Sequence, residues 1–283
     1  MRTLTHLMGA LVGAALLAGC DDNRQLTTAP GGGRNAPTPG IVAAEDQTGL
    51  KDKGDVKIVT ATGDIAPAVE QFRNLLGDLN QNIKGDDQKG NRREINWDGV
   101  PSGPNGVTDN DNFPGDFFNV NSFRGVLFTT DGPAFRISSN GYTDVNPDYA
   151  GEFNFFSPKK LFVARGSTIT DVLFVVAGTN IPATVTGFGS VFCDVGRAHS
   201  TTIEYFDVDG NRLLTVVAPR RSDDRGLSFA GANFDSRIVA RVRITSGDTP
   251  IGADVTDNVK GAGQKRDIVA MDDFIYGEPR RIN

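Results

Sequence analysis

The segment Arg237-Ile-Val-Ala-Arg-Val-Arg-Ile-Thr245 places Ile238, Ala240, Val242 and Ile244 on one side and Arg237, Arg241 and Arg243 on the other. A period of two with one apolar and one charged face describes a strand packed on a core and wetted on its far side. Outward from it, the same period recurs in β-branched and aromatic runs at 93–97, 123–130, 134–138, 160–164, 168–176, 187–194, 201–207, 213–218, 227–234 and 268–276. Clusters of Gly, Pro, Asn and Asp divide them, with 34 glycines available for turns. Asp209-Gly210, between two such runs, predicts a two-residue type I′ hairpin. Together these segments predict an all-β fold, an antiparallel, jelly-roll-like β-sandwich over 92–279, followed by a tail at 280–283.

One helix precedes the strands. Asp64 is placed as its N-cap, Pro67 suits the first turn, and Val69, Phe72, Leu75, Leu76 and Leu79 recur at helical spacing. Residues 55–91 therefore form a helix-containing extension whose apolar stripe docks on the sandwich.

Residues 1–19 read as a lipoprotein signal peptide. Arg2 supplies the positive charge, and the apolar run 7–17 is shorter than the roughly 20 residues a bilayer span requires. Leu17-Ala-Gly-Cys20 resembles a bacterial lipobox, in which the cysteine thiol receives a diacylglycerol. Two acyl chains anchor stably where one does not. The expected location is the bacterial cell envelope, attached by lipid at Cys20 and facing periplasm or cell surface. The polar, Pro- and Gly-rich stretch 20–54 is expected to be a disordered tether.

Composition narrows the chemistry. The net charge is −6, which disfavours nucleic acid and anionic membrane surfaces as partners. With Cys20 lipidated, Cys193 has no partner for a disulfide and reads as a small core residue within Gly189-Ser-Val-Phe-Cys-Asp-Val195. His199 is the one histidine after the signal segment and reads as a surface residue, which leaves little for a histidine triad or a multi-histidine zinc site. No nucleophile elbow, phosphate loop, dinucleotide fingerprint or His-Glu-x-x-His helix occurs.

Two binding sets remain. Asp207-Val-Asp-Gly-Asn-Arg212 fails as a calcium loop, with Arg212 where Gly is needed and Ala218 where a bidentate Glu is needed. Asp144-Val-Asn-Pro-Asp-Tyr149 fails likewise. Oxygens from separate loops can still hold a structural calcium, and Asp98, Asp109, Asp111, Asp116, Asp272 and Asp273 are the candidate ligands. Trp97, Tyr142, Tyr149 and Phe155 lie in or beside predicted loops, where flat rings could serve as platforms for sugars.

Three blocks carry a resemblance: Arg92-Arg-Glu-Ile-Asn-Trp-Asp-Gly99, Phe123-Arg-Gly-Val-Leu-Phe128 and Ile268-Val-Ala-Met-Asp-Asp-Phe-Ile-Tyr-Gly-Glu-Pro279. Over about residues 58–279 the chain is similar to a group of uncharacterised secreted or surface bacterial β-sandwich proteins. The resemblance implies an early strand and a late Asp-Asp-Phe strand bracketing the sandwich, and it brings no catalytic or binding residue. The expected function is a surface-anchored, non-catalytic module that binds carbohydrate or another extracellular polymer. The competing readings are a structural envelope or matrix protein that binds other proteins and, third, a glycan-active hydrolase.

Overall fold

In chain order the elements are β1 (Val56–Thr62), α1 (Ala66–Leu76), β2 (Arg92–Ile95), β3 (Asn110–Phe113), α2 (Phe117–Val120), β4 (Val126–Thr129), β5 (Ala134–Ser138), β6 (Leu161–Arg165) and β7 (Ile169–Phe174). They continue with β8 (Ala183–Thr184), β9 (Gly187–Cys193), β10 (Thr202–Phe206), β11 (Arg212–Val217), β12 (Leu227–Phe234), β13 (Arg241–Thr245), β14 (Ala270–Gly277) and β15 (Arg280–Arg281). The computed structural model describes residues 55–85, 90–101, 110–221, 226–257 and 266–282. The signal segment, Cys20, the tether and Asp109 lie outside the described residues.

An eight-stranded sheet runs β1-β12-β9-β14-β6-β5-β3, with β2 also paired to β14, and faces a five-stranded sheet ordered β11-β10-β13-β7-β4. All pairings between these named strands are antiparallel, so the protein is an antiparallel β-sandwich. The inter-sheet core includes Phe162, Phe188, Phe274 and Tyr276 from the larger sheet and Val172, Ile203, Tyr205, Val242 and Ile244 from the smaller.

The larger sheet is covered on its other side too. Helix α1 lays Ala68, Val69, Phe72 and Leu76 on Val59, Val191, Phe229 and Ile275. Beside it, Tyr142, Tyr149 and Phe153 pack on Leu161, Val163, Cys193 and Ala270. Every residue of β9 and β14 is consequently buried. A strand buried on both faces does not alternate, which is why Gly187-Phe-Gly-Ser-Val-Phe-Cys193 reads as a continuous small and apolar run.

Two of those small residues have a definite task. Gly189 and Gly231 are cross-strand partners. A Cβ on Gly189 would stand 2.7 Å from the Phe229 ring and 2.9 Å from the Phe72 ring, and one on Gly231 would stand 3.0 Å from Phe72. The glycine pair is the flat seat into which α1 sets Phe72.

Several expectations are corrected. Helix α1 starts at Ala66 with Ile65 as its N-cap residue, and no side chain caps it, so Asp64 does not hold that position. The helix ends at Leu76 before Gly77, and Leu79 beyond it is 56% exposed. The extension 55–91 also opens with strand β1, whose Val-Lys-Ile-Val-Thr-Ala-Thr run pairs along its whole length with β12. At the Asp209-Gly210 turn only Gly210 has positive φ (+81°), whereas a type I′ turn needs two such residues. The Gly210 N–H bonds to the Asp207 carbonyl and the Asp207 N–H to the Asn211 carbonyl, which is a longer loop with its glycine in the left-handed position. Finally, the alternation of 237–245 holds only from Arg241: upstream, Val239 is the fully buried residue, because the chain bends to bridge Val185.

Candidate functional site

With one sheet covered on both sides, the outward face of β11-β10-β13-β7-β4 is the remaining broad sheet surface. Neither cluster that covers the larger sheet includes a residue from these five strands. In β7, β10 and β13 buried residues alternate with half-buried ones, and the half-buried set faces outward.

Register places these side chains in rows. Thr215, Glu204, Arg243, Asp171 and Thr129 lie side by side across all five strands. The next row holds Arg212, Phe206, Arg241, Leu173 and Leu127. Asp171 ties the rows together. Arg243 donates to it twice, Nε to Oδ1 at 3.0 Å and Nη2 to Oδ2 at 2.6 Å, while Arg241 donates Nη1 to Oδ1 at 2.8 Å. The Arg241 guanidinium carbon also sits 3.8 Å from the centre of the Phe206 ring. Arg212 Nη1 donates to Glu204 Oε1 at 2.9 Å.

Partial burial would raise the Asp171 carboxyl, but hydrogen bonds and attraction from Arg243 and Arg241 outweigh it and hold the group below its usual value. The Arg243 guanidinium is correspondingly raised, chiefly by its hydrogen bond to Asp171. The face thus offers one aromatic ring, fixed guanidinium donors, carboxylate acceptors and threonine hydroxyls in a shallow array. Such groups can pair with the hydroxyls and cover the C–H faces of a sugar chain.

A second polar group lies inside the fold. The β14–β9 register shifts between Met271 and Phe274, and both Asp272 and Asp273 are buried, at 0% and 2% exposed. Asp272 Oδ2 accepts the N–H groups of Phe156 (2.7 Å) and Ser157 (3.1 Å), and the Ser157 hydroxyl donates to Asp273 Oδ1 at 2.6 Å. Arg73 of α1 lies 3.7 Å from Asp273 and bonds Glu94 of β2 at 2.9 and 3.0 Å. Burial, then repulsion from Asp273, pushes the Asp272 carboxyl up to about 9. Burial raises Asp273 to about 6, against hydrogen bonds from Ser157 and Asp272. Between those values the pair shares one proton, with protonated Asp272 donating to Asp273. The pair joins helix, strand and loop out of reach of any substrate in solution.

The five calcium candidates among the described residues are not brought together, and Asp109 lies outside those residues. Asp98 accepts the N–H groups of Lys159 and Lys160, both at 3.0 Å, which closes a turn. Asp111 pairs with Arg136, Asp116 is the N-cap residue of α2, and Asp272 and Asp273 form their own pair. Among the described residues a different set, Glu152, Asp194 and Asp257, has carboxylate oxygens within 4.8 Å of one another.

The ring platform is corrected as well. Trp97, Tyr142 and Tyr149 are 1%, 0% and 1% exposed, and Phe155 is half-buried against the Tyr142 cluster. Trp97 stacks on Phe162 at 4.1 Å with 4° between ring planes, and its Nε1 donates to the Asp272 carbonyl at 2.8 Å. Large rings in predicted loops were needed to close the core ends, a stronger demand than display. Phe206, inside a strand, is the ring the sequence reading missed; its signal was the position opposite buried Tyr205 in an alternating run. Cys193 is fully buried and burial pushes its thiol well above the usual value, so it is an inert core residue as expected.

No family model matches the chain, and no curated protein matches it. Among solved structures the chain is similar to TmCBM61 in complex with beta-1,4-galactotriose, at 12% identity over 58% of this chain and 90% of that one, with a TM-score of 0.27. At that TM-score the likeness assigns neither a residue nor a ligand to this chain.

Proposed function

We propose that this protein is a non-catalytic β-sandwich module, held to the bacterial envelope by lipid at Cys20, that binds carbohydrate or another extracellular polymer on the open face of its five-stranded sheet. One observation carries the reading: Asp171, Arg241, Arg243 and Phe206 form a fixed, half-buried polar and aromatic array on a sheet face that neither helix cluster covers. An array already held in place loses little conformational entropy when it meets a ligand.

Pull-down of the soluble domain with a polysaccharide panel tests it. Binding that is lost in Phe206→Ala and Arg243→Ala, with the melting transition retained, supports the reading. No binding to any member, or binding indifferent to both substitutions, overturns it. The attachment is tested separately: palmitate labelling of whole cells should disappear in Cys20→Ala.

A further inference from the structure

The strands of the sandwich meet at two opposite ends. At one of them Val56 of β1 lies opposite Phe234 of β12, Asn233 of β12 opposite Gly187 of β9, and Gly277 of β14 opposite Arg92 of β2. The smaller sheet shares this end. Val239 bridges Val185 just before β9, and the Ala240 N–H bonds the Phe206 carbonyl at 2.9 Å, where β10 closes and β13 opens.

Five large apolar side chains are exposed among the described residues: Leu79, Ile83, Val120, Val208 and Ile282. All five stand at this end. Leu79 bridges Arg92 at the start of β2. Ile83 lies between Gln81, whose carbonyl takes Arg93 Nη1, and Gly85, whose N–H bonds the Ala177 carbonyl just beyond β7. Val120 closes α2, and its neighbour Asn119 accepts the Gly178 N–H and donates to the Thr179 carbonyl, both at 2.8 Å. Val208 lies in the β10–β11 loop, and Ile282 follows β15, which pairs with β8. At the opposite end, the links β1–α1, β4–β5, β6–β7 and β9–β10 expose no large apolar side chain among the described residues.

Scattered exposed apolar residues need no explanation, but five gathered at one end mark an interaction surface. Charge does not choose its partner, because Lys57, Lys84 and Arg237 share this end with Asp55, Asp78 and Asp235. The tips come from four separate stretches of chain that cap both sheets, so they match a broad surface better than a single peptide. The described chain also enters the fold here, at Asp55 beside Asp235, and residues 21–54 join it to Cys20.

We propose that this end is a membrane-docking surface, whose five apolar side chains sink among the headgroups and outer acyl carbons of the bilayer that holds the Cys20 lipid. The inference rests on the proposed attachment at Cys20 and adds an orientation to it. A domain already held by lipid needs only weak insertion to be oriented, since the second contact is intramolecular. Docked in this way, the strands stand on the bilayer and the open face of the smaller sheet turns sideways, clear of the membrane.

The test uses the full chain, purified from the expressing cells and bound to phosphatidylcholine vesicles. An environment-sensitive fluorophore is placed on Val120→Cys, Val208→Cys or, at the opposite end, Ala198→Cys; Cys193 is buried and does not take the label. Vesicles should reduce iodide quenching several-fold at positions 120 and 208 and leave it unchanged at 198. Leu79→Asp with Ile83→Asp should restore quenching at 120 without moving the melting transition, both side chains being about half exposed. Mass spectrometry separates this inference from the one beneath it. A chain with no acyl group on Cys20 overturns the attachment and the docking together, whereas an acylated chain whose probes at 120 and 208 stay as quenched as at 198 overturns the docking alone. Protection seen only on phosphatidylglycerol vesicles and lost in high salt would assign the contact to the cations. Protection that rises with protein concentration without vesicles would assign it to a second copy of the chain. Either result overturns the proposal.

Discussion

Arg93 and Glu278 form a fully buried, two-pronged ion pair, with Arg93 Nε and Nη2 donating to the two carboxylate oxygens at 2.5 and 2.8 Å. The pair sits where β2 and β14 meet, Arg93 lying opposite Tyr276 in the register. The first and last of the three sequence blocks quoted above are thus hydrogen-bonded neighbours. Arg93 Nη1 also donates to the carbonyls of Gln81 (2.7 Å) and Phe123 (2.6 Å), and Asn80 donates to Glu278 at 2.6 Å.

Such a network punishes half-removal. Glu278→Leu leaves a buried guanidinium short of its counter-charge and should cost about 3–5 kcal/mol. Replacing both partners, Arg93→Met with Glu278→Leu, should recover a large part of that loss, because no lone charge stays buried. Urea unfolding of Glu278→Leu, Arg93→Met and the double variant measures both quantities. A double variant as unstable as the two singles summed would show no coupling between the two groups and overturn this reading of the pair.

Phe72 and its glycine seat give a packing prediction. Phe72→Ala empties the space over Gly189 and Gly231 and should cost about 3–5 kcal/mol. Gly231→Ala places a methyl 3.0 Å from the Phe72 ring and 2.9 Å from the Gly189 Cα, and overpacking of this kind costs about 1–3 kcal/mol. The two losses concern one contact, so the double variant should be milder than their sum. Full additivity would mean that Phe72 does not rest on the glycines.

The sandwich was legible because its signal is spread over many residues, each run alternating or β-rich. The helix was legible for the same reason, with Val69, Phe72 and Leu76 on one stripe. Single-residue features were not. Nothing local says that Trp97 and Tyr142 adopt positive φ, +63° and +66°, and turn inward; packing decides that. Nor could a list of aspartates say that Asp98 closes a turn while Asp272 and Asp273 share a bulge. The open face was half legible: the Arg241–Arg243 alternation marked a wet side, but its partners Asp171 and Phe206 come from strands 35 or more residues away, and only the register joins them.

The Asp272–Asp273 pair should make stability fall toward alkaline pH. Both carboxyls lie above an unfolded value of about 3.9, so the folded chain holds protons that the unfolded chain has released. Their contribution is full below about pH 4 and is lost as pH rises through about 6 for Asp273 and about 9 for Asp272. The charges around them are Arg73 and Glu70 on α1 and Glu94 on β2, with the neutral Cys193 thiol on β9. Asp272→Asn mimics the protonated partner and keeps a donor toward Asp273. Urea midpoints at pH 5, 7 and 9.5 should fall for the native domain and flatten between 7 and 9.5 in the variant. Parallel falls would assign the alkaline loss to other groups.

On the open face the expectation reverses, since Asp171 lies below its usual value and its pairing is lost only as pH falls. Exposed and half-exposed ion pairs contribute roughly 0–1 kcal/mol to folding. Arg243→Ala should therefore leave the urea midpoint almost unchanged while abolishing polysaccharide retention. A variant that loses both together would make Arg243 a structural residue.

Trp97 is the chain's one tryptophan and stacks in the core at 4.1 Å from Phe162, which makes it a reporter for where the ligand lies. Its emission should be that of a ring out of water, resistant to acrylamide, and should not change when a polysaccharide saturates the domain. The reason is geometric: Trp97 hydrogen-bonds Asp272 of β14, in the larger sheet, whereas the proposed ligand lies on the far side of the smaller one. A tryptophan placed at Leu173, beside Arg241 on the open face, should shift on the same titration. Quenching of native Trp97 with a silent Leu173→Trp would move the binding site to the opposite side of the sandwich and sink the assignment of the open face.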